Sequence, residues 1–374
     1  MEKLDLTRPL RLQLDNFTDN MWGGDWIPRL KSLPVTGAPV GESWEFSAHP
    51  LHPSQVLTGA RSNVRDLLAA HPVEILGPRP AARLNGEPPF LLKFIDSRDD
   101  LSVQVHPSDE YARARENDSG KAESWIILEA DRTGDGGHIY LGFDPRRAEG
   151  FADNAAFAEA FLGAITQANA QGPSQDPAVR LKAERLVLPF LNRVAVRPGE
   201  VYDIPPGTVH AIGRGVRLYE IQQSSDLTYR VWDWNRPDTK KLKEGKLEFR
   251  GLHLDRARDV LDFEPRLPEF YRRKPEAFET VGGGAHSHWR LMKEAGGRFA
   301  AEKIRLGGAD AWLNLPMEFS VLTVLRGTVE IDADEKSWGR VDAGASVLIP
   351  ALASSIRLRC DGNAAELIRS TVPS

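Results

Sequence analysis

Apolar residues recur at every second position through much of this chain, a period that predicts strands rather than helices. Leu101, Val103 and Val105 alternate with Ser102, Gln104 and His106, so Gln104 and His106 fall on one face of a strand. From Pro88 the chain, with the run PFLLKFID, reads as the strand before it, joined by a turn at Ser97–Asp100. After a polar loop, Trp125–Leu128 reads as another, and 216–223 as another again. Short strand signals also lie around Leu10–Leu14 and Ser43–Ser47. The period changes to that of a helix in three places. Residues 62–71 start with an N-cap-type Ser62 and carry Val64, Leu67 and Leu68 on one face. Ala156–Ala170 repeats Phe157, Phe161, Leu162 and Ile165 at helical spacing, and Ala178–Phe190 follows after a QGPSQDP loop. These last two predict a helical insert over about 150–192.

Beyond Leu254 the texture changes. Residues 256–279 are charged and proline-bearing, and GGGAHSH at 282–288 reads as a turn-rich link. From Phe299, short apolar strands return at Phe319–Leu325, Val329–Ile331, Ala345–Ile349, Ile356–Arg359 and Ala365–Ile368. The expected fold is mainly β, with one β-barrel domain over 1–255 carrying the insert, and a linker with a second barrel over 256–374.

The stretch RPGEVYDIPPGTVHAIG carries the most specific spacing in the chain. Gly199 is followed by five residues, then Pro205, Gly207 and His210: strand, tight turn, strand. Gly207 takes a positive φ without steric cost, so the turn returns His210 to the sheet in a fixed direction. This G-x5-P-x-G-x2-H pattern resembles the second signature motif of the cupin superfamily, small jelly-roll barrels that hold one metal in the barrel mouth. Gly344-x5-Pro350 repeats its opening but continues ALASSI, without the second glycine or the histidine. The second barrel is therefore expected to keep the scaffold and lack the ligand.

Four side chains are candidate metal ligands: Gln104, His106, Glu123 and His210. Two imidazoles, a carboxylate and an amide oxygen suit a borderline divalent ion, zinc above all, in a site that keeps open positions for catalysis. His49, His52, His71, His138, His253, His286 and His288 lack such context and are expected in surface or core roles, and Trp22 and Trp44 as packing residues or substrate contacts.

Composition narrows the partners. A net charge of −5 offers no phosphate-neutralising excess, which argues against nucleic acid or an anionic membrane surface. One cysteine, Cys360, excludes an internal disulfide framework and fits a reducing compartment. The first residues show no signal-peptide pattern and no apolar run reaches spanning length, so a cytoplasmic protein, monomer or homodimer, is expected.

The segments QVHPSDEYA, GKAESWIIL, IPPGTVHAIGRG and EIQQSSDLTYRVWDWNR, with WGG at 22–24 and GESWE at 41–45, resemble the type I mannose-6-phosphate isomerases, the zinc-dependent cupin branch of that activity. The resemblance covers about 250 residues and implies one Zn2+ per chain on Gln104, His106, Glu123 and His210. It places the family's active-site arginine on Arg230 and its GKxE lysine on Lys121. The implied reaction interconverts mannose 6-phosphate and fructose 6-phosphate through a cis-enediol, moving a proton between C2 and C1. Lys121, two residues before Glu123, is expected either to transfer the proton, its ammonium pKa lowered beside a dication, or to act as an orienting charge. Arg230 is expected to clamp the enediolate oxygens or the phosphate. Asp226 either orients Arg230 and shares in proton transfer or is a surface turn residue, and Lys93 is a candidate phosphate contact. Rival readings are an isomerase or epimerase of another sugar, a cupin oxygenase, and a non-enzymatic sugar-binding cupin. Gln104 in place of a first histidine weighs against oxygen chemistry, and no output domain supports a sensor.

Overall fold

The strand Leu91–Ser97 is buried at every position, which explains its continuous apolar run and makes its one cation, Lys93, conspicuous. The computed structural model describes all residues except 1–3, 58–61, 133, 135, 278–281, 294–296, 309–310, 354, 361 and 374. Residues 278–279 of the charged stretch and Ser354 of ALASSI lie outside the described residues. The architecture is mainly β. One seven-stranded antiparallel sheet runs in the order Arg272–Arg273, Val201–Ile204, Glu123–Ala130, Val216–Gln222, Leu91–Ser97, Phe17–Gly24, Val40–Phe46. Its partner has five strands, in the order Leu191–Ala195, His138–Phe143, His210–Ile212, Val103–Val105, Tyr229–Trp232. Trp22, Ile95, Trp125, Ile139, Leu141, Tyr202 and Leu218 pack together as an apolar cluster drawn from both.

Helices Asn154–Asn169 and Pro177–Val187 pack against the five-stranded sheet, burying Phe157, Phe161, Ile165 and Val187 with Phe143 and Val231. Both start where a free N–H finds an aspartate: Asp153 accepts from Ala156 N and Asp176 from Ala178 N. The helix expected at 62–71 runs Val64–Ala70, and its cap is Asn63 rather than Ser62: the Asn63 side chain accepts from Asp66 N at 2.9 Å, while Ser62 lies in a two-residue strand. The polar loop after His106 contains a helix, Asp109–Glu116, capped by Ser108. Two further helices, Pro72–Leu76 and Pro78–Leu84, each begin with a proline at the first turn.

Two more sheets, one of seven strands and one of five, take most of their strands from beyond residue 282. The expected strands appear as Ser320–Arg326, Thr328–Ala333, Ser346–Ile349, Ile356–Cys360 and Ala365–Thr371. His286–Lys293 is a strand too, so the end of the GGGAHSH segment is sheet rather than link. The two halves of the chain are tied together. Leu10–Arg11 pairs antiparallel with Ser346–Ile349, Leu10 opposite Leu348. One apolar cluster contains Phe46, Phe90, Phe94 and Tyr219 alongside Phe319, Val321, Leu348 and Ile368. Burial of such large side chains stabilises by about 1.5–3 kcal/mol each, so this seam is a core rather than a loose contact.

Candidate metal centre and its cavity

Register brings the candidate ligands together. His210 stands opposite Gln104 on the neighbouring strand, and Glu123 starts the strand of the facing sheet. His106 Nε2 lies 3.1 Å from Glu123 Oε1, and His210 Nε2 lies 3.8 Å from Glu123 Oε2. The ligand atoms of His106, Glu123 and His210 all fall within 4.8 Å of one another, and all three residues are buried. Each imidazole is oriented from behind: Nδ1–H of His106 donates to Leu227 O at 2.8 Å, and Nδ1–H of His210 donates to Thr208 O at 2.9 Å. Those bonds fix the tautomers, so both Nε2 lone pairs face Glu123. The Gln104 amide lies 3.3 Å from His210 Nε2, bringing a fourth donor to the group.

Gly207 takes φ +87° in the turn before His210, as the motif requires, and a Cβ there would meet Val260 O at 3.0 Å. Its N–H donates to His106 O at 2.9 Å, so the turn itself joins the two histidine-bearing strands.

Burial and the neighbouring His106 push His210 down to about 3, and burial with the Lys121 charge lowers His106, so both rings are neutral. Burial works to raise Glu123, but the Lys121 ammonium and His106 hold it well below the usual carboxylate range. Lys121 Nζ lies 2.8 Å from Glu123 Oε1 and 3.3 Å from His106 Nε2. Burial acts to lower Lys121, yet the Glu123 carboxylate outweighs it and the ammonium is raised.

Above this cluster opens a cavity of about 430 Å³ whose wall includes Lys93, Gln104, Lys121, Glu123, Asp226 and Arg230. Every sequence-predicted site residue is therefore in the cavity wall or, for His106 and His210, buried beside Glu123. Trp22 and Trp44 line it as well, and so does His52, whose sequence context does not separate it from the other histidines. Arg230 stands opposite Gln104 across the pair of strands Val103–Val105 and Tyr229–Trp232.

Three further charged wall residues escaped the sequence reading: Glu42, Glu220 and Arg250. Glu220 faces Lys93 across the strands and accepts from Trp125 Nε1 at 2.9 Å. Burial and the Glu123 charge push it up to about 7. Lys93 Nζ sits 3.8 Å from Glu220 and 3.7 Å from Glu42, above the Trp44 ring at 4.7 Å. A lone charge in the middle of an apolar strand, as in LLKFI and LYEIQ, was the available signal.

Comparison with known proteins gives a consistent picture. The family model for the type I phosphomannose isomerase catalytic domain matches residues 15–126. A mannose-6-phosphate isomerase of Bacillus subtilis is 33% identical over 267 residues, 71% of each chain. The crystal structure of the mannose 6-phosphate isomerase from Bacillus subtilis superposes with a TM-score of 0.75 at 24% identity, covering 97% of this chain and 99% of that one. A mannose 6-phosphate isomerase structure described as bound with zinc and yttrium superposes with a TM-score of 0.74 at 18% identity, covering 99% and 100%.

Proposed function

Because the chain belongs to the type I phosphomannose isomerase family, we propose that it interconverts mannose 6-phosphate and fructose 6-phosphate at the His106–Glu123–His210 cluster. The observation that carries this reading is the convergence of two neutral imidazoles and an ionised carboxylate at the floor of a polar cavity of sugar-phosphate size.

The donor set fits zinc. Glu123 Oε2 is buried and, among the described residues, has no hydrogen-bond partner, and the two Nε2 atoms face it with their lone pairs. His106, Glu123, His210 and, once its carboxamide turns its oxygen inward, Gln104 would hold one ion per chain. A zinc ion bound there supplies Lewis-acid polarisation of the substrate oxygens. The zinc named for a structural relative supports that choice.

The chain's own groups account for the rest. An aldose–ketose isomerisation takes a proton from C2 and delivers one to C1, and of the titratable wall residues Lys121 and Glu220 are assigned to carry it. Glu220 is a carboxyl raised close to neutrality, which suits a group that must both accept and return a proton. Arg230 is assigned to the developing enediolate charge, and Asp226 to orienting the donors around it. Lys93, shared between Glu42 and Glu220, is assigned to holding Glu220 in place. The buried walls, with Trp22 and Trp44, keep bulk water from the enediolate.

The finer architecture follows the same reading. The two sheets that carry the cluster are taken as a catalytic cupin-type barrel with the helices of about 150–192 inserted, and the other two as a second barrel without ligands. Incubating the protein with mannose 6-phosphate and following fructose 6-phosphate by NMR tests the activity. Quantitative recovery of unreacted sugar from zinc-loaded protein would sink it.

A further inference from the structure

The segment that carries Lys121 belongs to no helix or strand: it lies between the helix Asp109–Glu116 and the strand that starts at Glu123. A buried backbone N–H outside a ladder needs a partner of its own. Three successive ones here find three different partners. Gly120 N donates to Asp109 Oδ1 at 2.9 Å, Lys121 N to Pro107 O at 3.1 Å, and Ala122 N to Gln223 Oε1 at 2.9 Å. Gln223 N returns a bond to Ala122 O at 3.0 Å. The two side chains also meet each other, since Gln223 Nε2 donates to Asp109 Oδ1 at 3.1 Å. Lys121 therefore sits at the centre of a bracket closed by Asp109 on one side and Gln223 on the other. Gly120 packs so closely on the start of the helix that a Cβ there would stand 2.4 Å from Asp109 N.

Asp109 is itself held from the second half of the chain. Arg298, just before the strand Ala300–Leu306, donates through Nη2 to Asp109 Oδ2 at 2.7 Å and through Nη1 to Glu87 Oε2 at 2.9 Å. Burial acts to raise the Asp109 pKa, but the Gly120 N–H and the Arg298 charge outweigh it and lower it. Neither Asp109 nor Gln223 lines the cavity, whereas Lys121 does, so both reach the chemistry only through Lys121. The Lys121 ammonium lies 2.8 Å from Glu123 Oε1, and displacing a reacting group by about 1 Å costs on the order of 10²-fold in rate.

We propose that Asp109 and Gln223 are positioning residues that set the Lys121 ammonium for proton transfer, and that Arg298 ties this bracket to the second half of the chain. This rests on the reading of Lys121 as a proton carrier in a sugar-phosphate isomerase. The two side chains act on the backbone at either side of Lys121, at Gly120 and at Ala122, so loss of either frees one end of the segment.

The test uses full-length, zinc-loaded protein, with variants compared at equal zinc content. Gln223→Leu and Asp109→Ala should each lower kcat for mannose 6-phosphate by about 10- to 100-fold, with KM changing by less. Asp109→Asn, which keeps an oxygen for Gly120 N, should retain more of kcat than Asp109→Ala. Arg298→Gln should lower kcat on its own and have little further effect beside Asp109→Ala, a coupling that loss of stability alone does not produce. A second readout needs no turnover. Reductive methylation followed by mass spectrometry should show Lys121 modified severalfold faster, relative to Lys93, in Gln223→Leu and Asp109→Ala than in wild type. Unchanged kcat, unchanged Lys121 labelling, or a rise in KM at unchanged kcat in these two variants would each overturn the bracket. Fully additive losses from Arg298→Gln and Asp109→Ala would remove Arg298 from it. If labelling responds but wild type does not convert mannose 6-phosphate, the bracket stands and the isomerase reading fails. If wild type converts it and neither kcat nor labelling responds, the reverse holds.

Discussion

The ammonium of Lys31 and the carboxylate of Glu45 lie 2.7 Å apart, both side chains fully shielded from solvent, at the seam between the two halves of the chain. Lys31 Nζ also donates to Gly344 O at 2.7 Å, and Ser346 Oγ donates to Glu45 Oε2 at 2.9 Å. The network continues through Thr323 to the hydroxyl of Tyr219 at 3.0 Å, beside Glu220. Gly344, which opens the incomplete second motif, takes φ +81°, and a Cβ there would stand 2.6 Å from Lys31 Cγ. The incomplete motif thus keeps a structural use: it receives the cation that fixes the strand bearing Glu42 and Trp44.

Lys31→Met should leave Glu45 buried without its counter-charge and lower stability by about 3–5 kcal/mol, measured by urea denaturation. Pairing it with Glu45→Met should restore much of that loss. A single variant as stable as wild type would contradict the role of the pair. By the same logic, removing residues beyond about 290 exposes Phe46, Phe90 and their neighbours; a soluble, fully active truncation would show the seam to be dispensable.

His210→Ala should lose zinc and turnover together, because His210 brings one of the two imidazoles to the cluster. Metal analysis of the purified variant checks this. Stoichiometric zinc in it would refute the ligand assignment.

Arg230→Ala should keep its zinc while kcat falls by about 10²–10³-fold, the usual cost of removing a donor aimed at developing negative charge. Near-normal kcat would remove Arg230 from the catalytic residues.

Away from the cavity, Glu302 accepts from Arg369 Nη1 at 2.8 Å and pairs with His288 at 3.0 Å. Burial acts to raise its pKa, but His288 and Arg369 outweigh that and lower it below 4.5. A depressed carboxyl contributes stability that is present above its unfolded value and lost as pH falls through the folded one. Thermal stability should therefore decline below about pH 4.5, and Glu302→Gln should flatten that decline while costing stability at neutral pH. An unchanged acid limb in the variant would place the proton uptake elsewhere.

Most of the metal cluster was legible because it is local. Gln104 and His106 are two apart on one strand, Glu123 is two past Lys121, and His210 follows a turn whose glycine is conformationally required. Glu42 and Arg250 were not legible, since only tertiary structure brings them to the cavity, and Glu220 showed only as a lone charge in an apolar strand until pairing set it opposite Lys93. The helix Asp109–Glu116 was hidden because Ala112 is the only residue it buries, so it has no apolar stripe and depends on its Ser108 cap. The pairing of Leu10 with Leu348 spans nearly the whole chain and leaves no local trace at all.

Isomerisation at the His106–Glu123–His210 cluster is expected to depend on zinc. Its most direct test is turnover of mannose 6-phosphate beside unphosphorylated mannose, before chelation, after it, and after zinc is returned. The prediction is conversion of the phosphate ester alone, abolished by chelation and restored by zinc. Undiminished turnover in fully chelated protein, or preference for the free sugar, would contradict it.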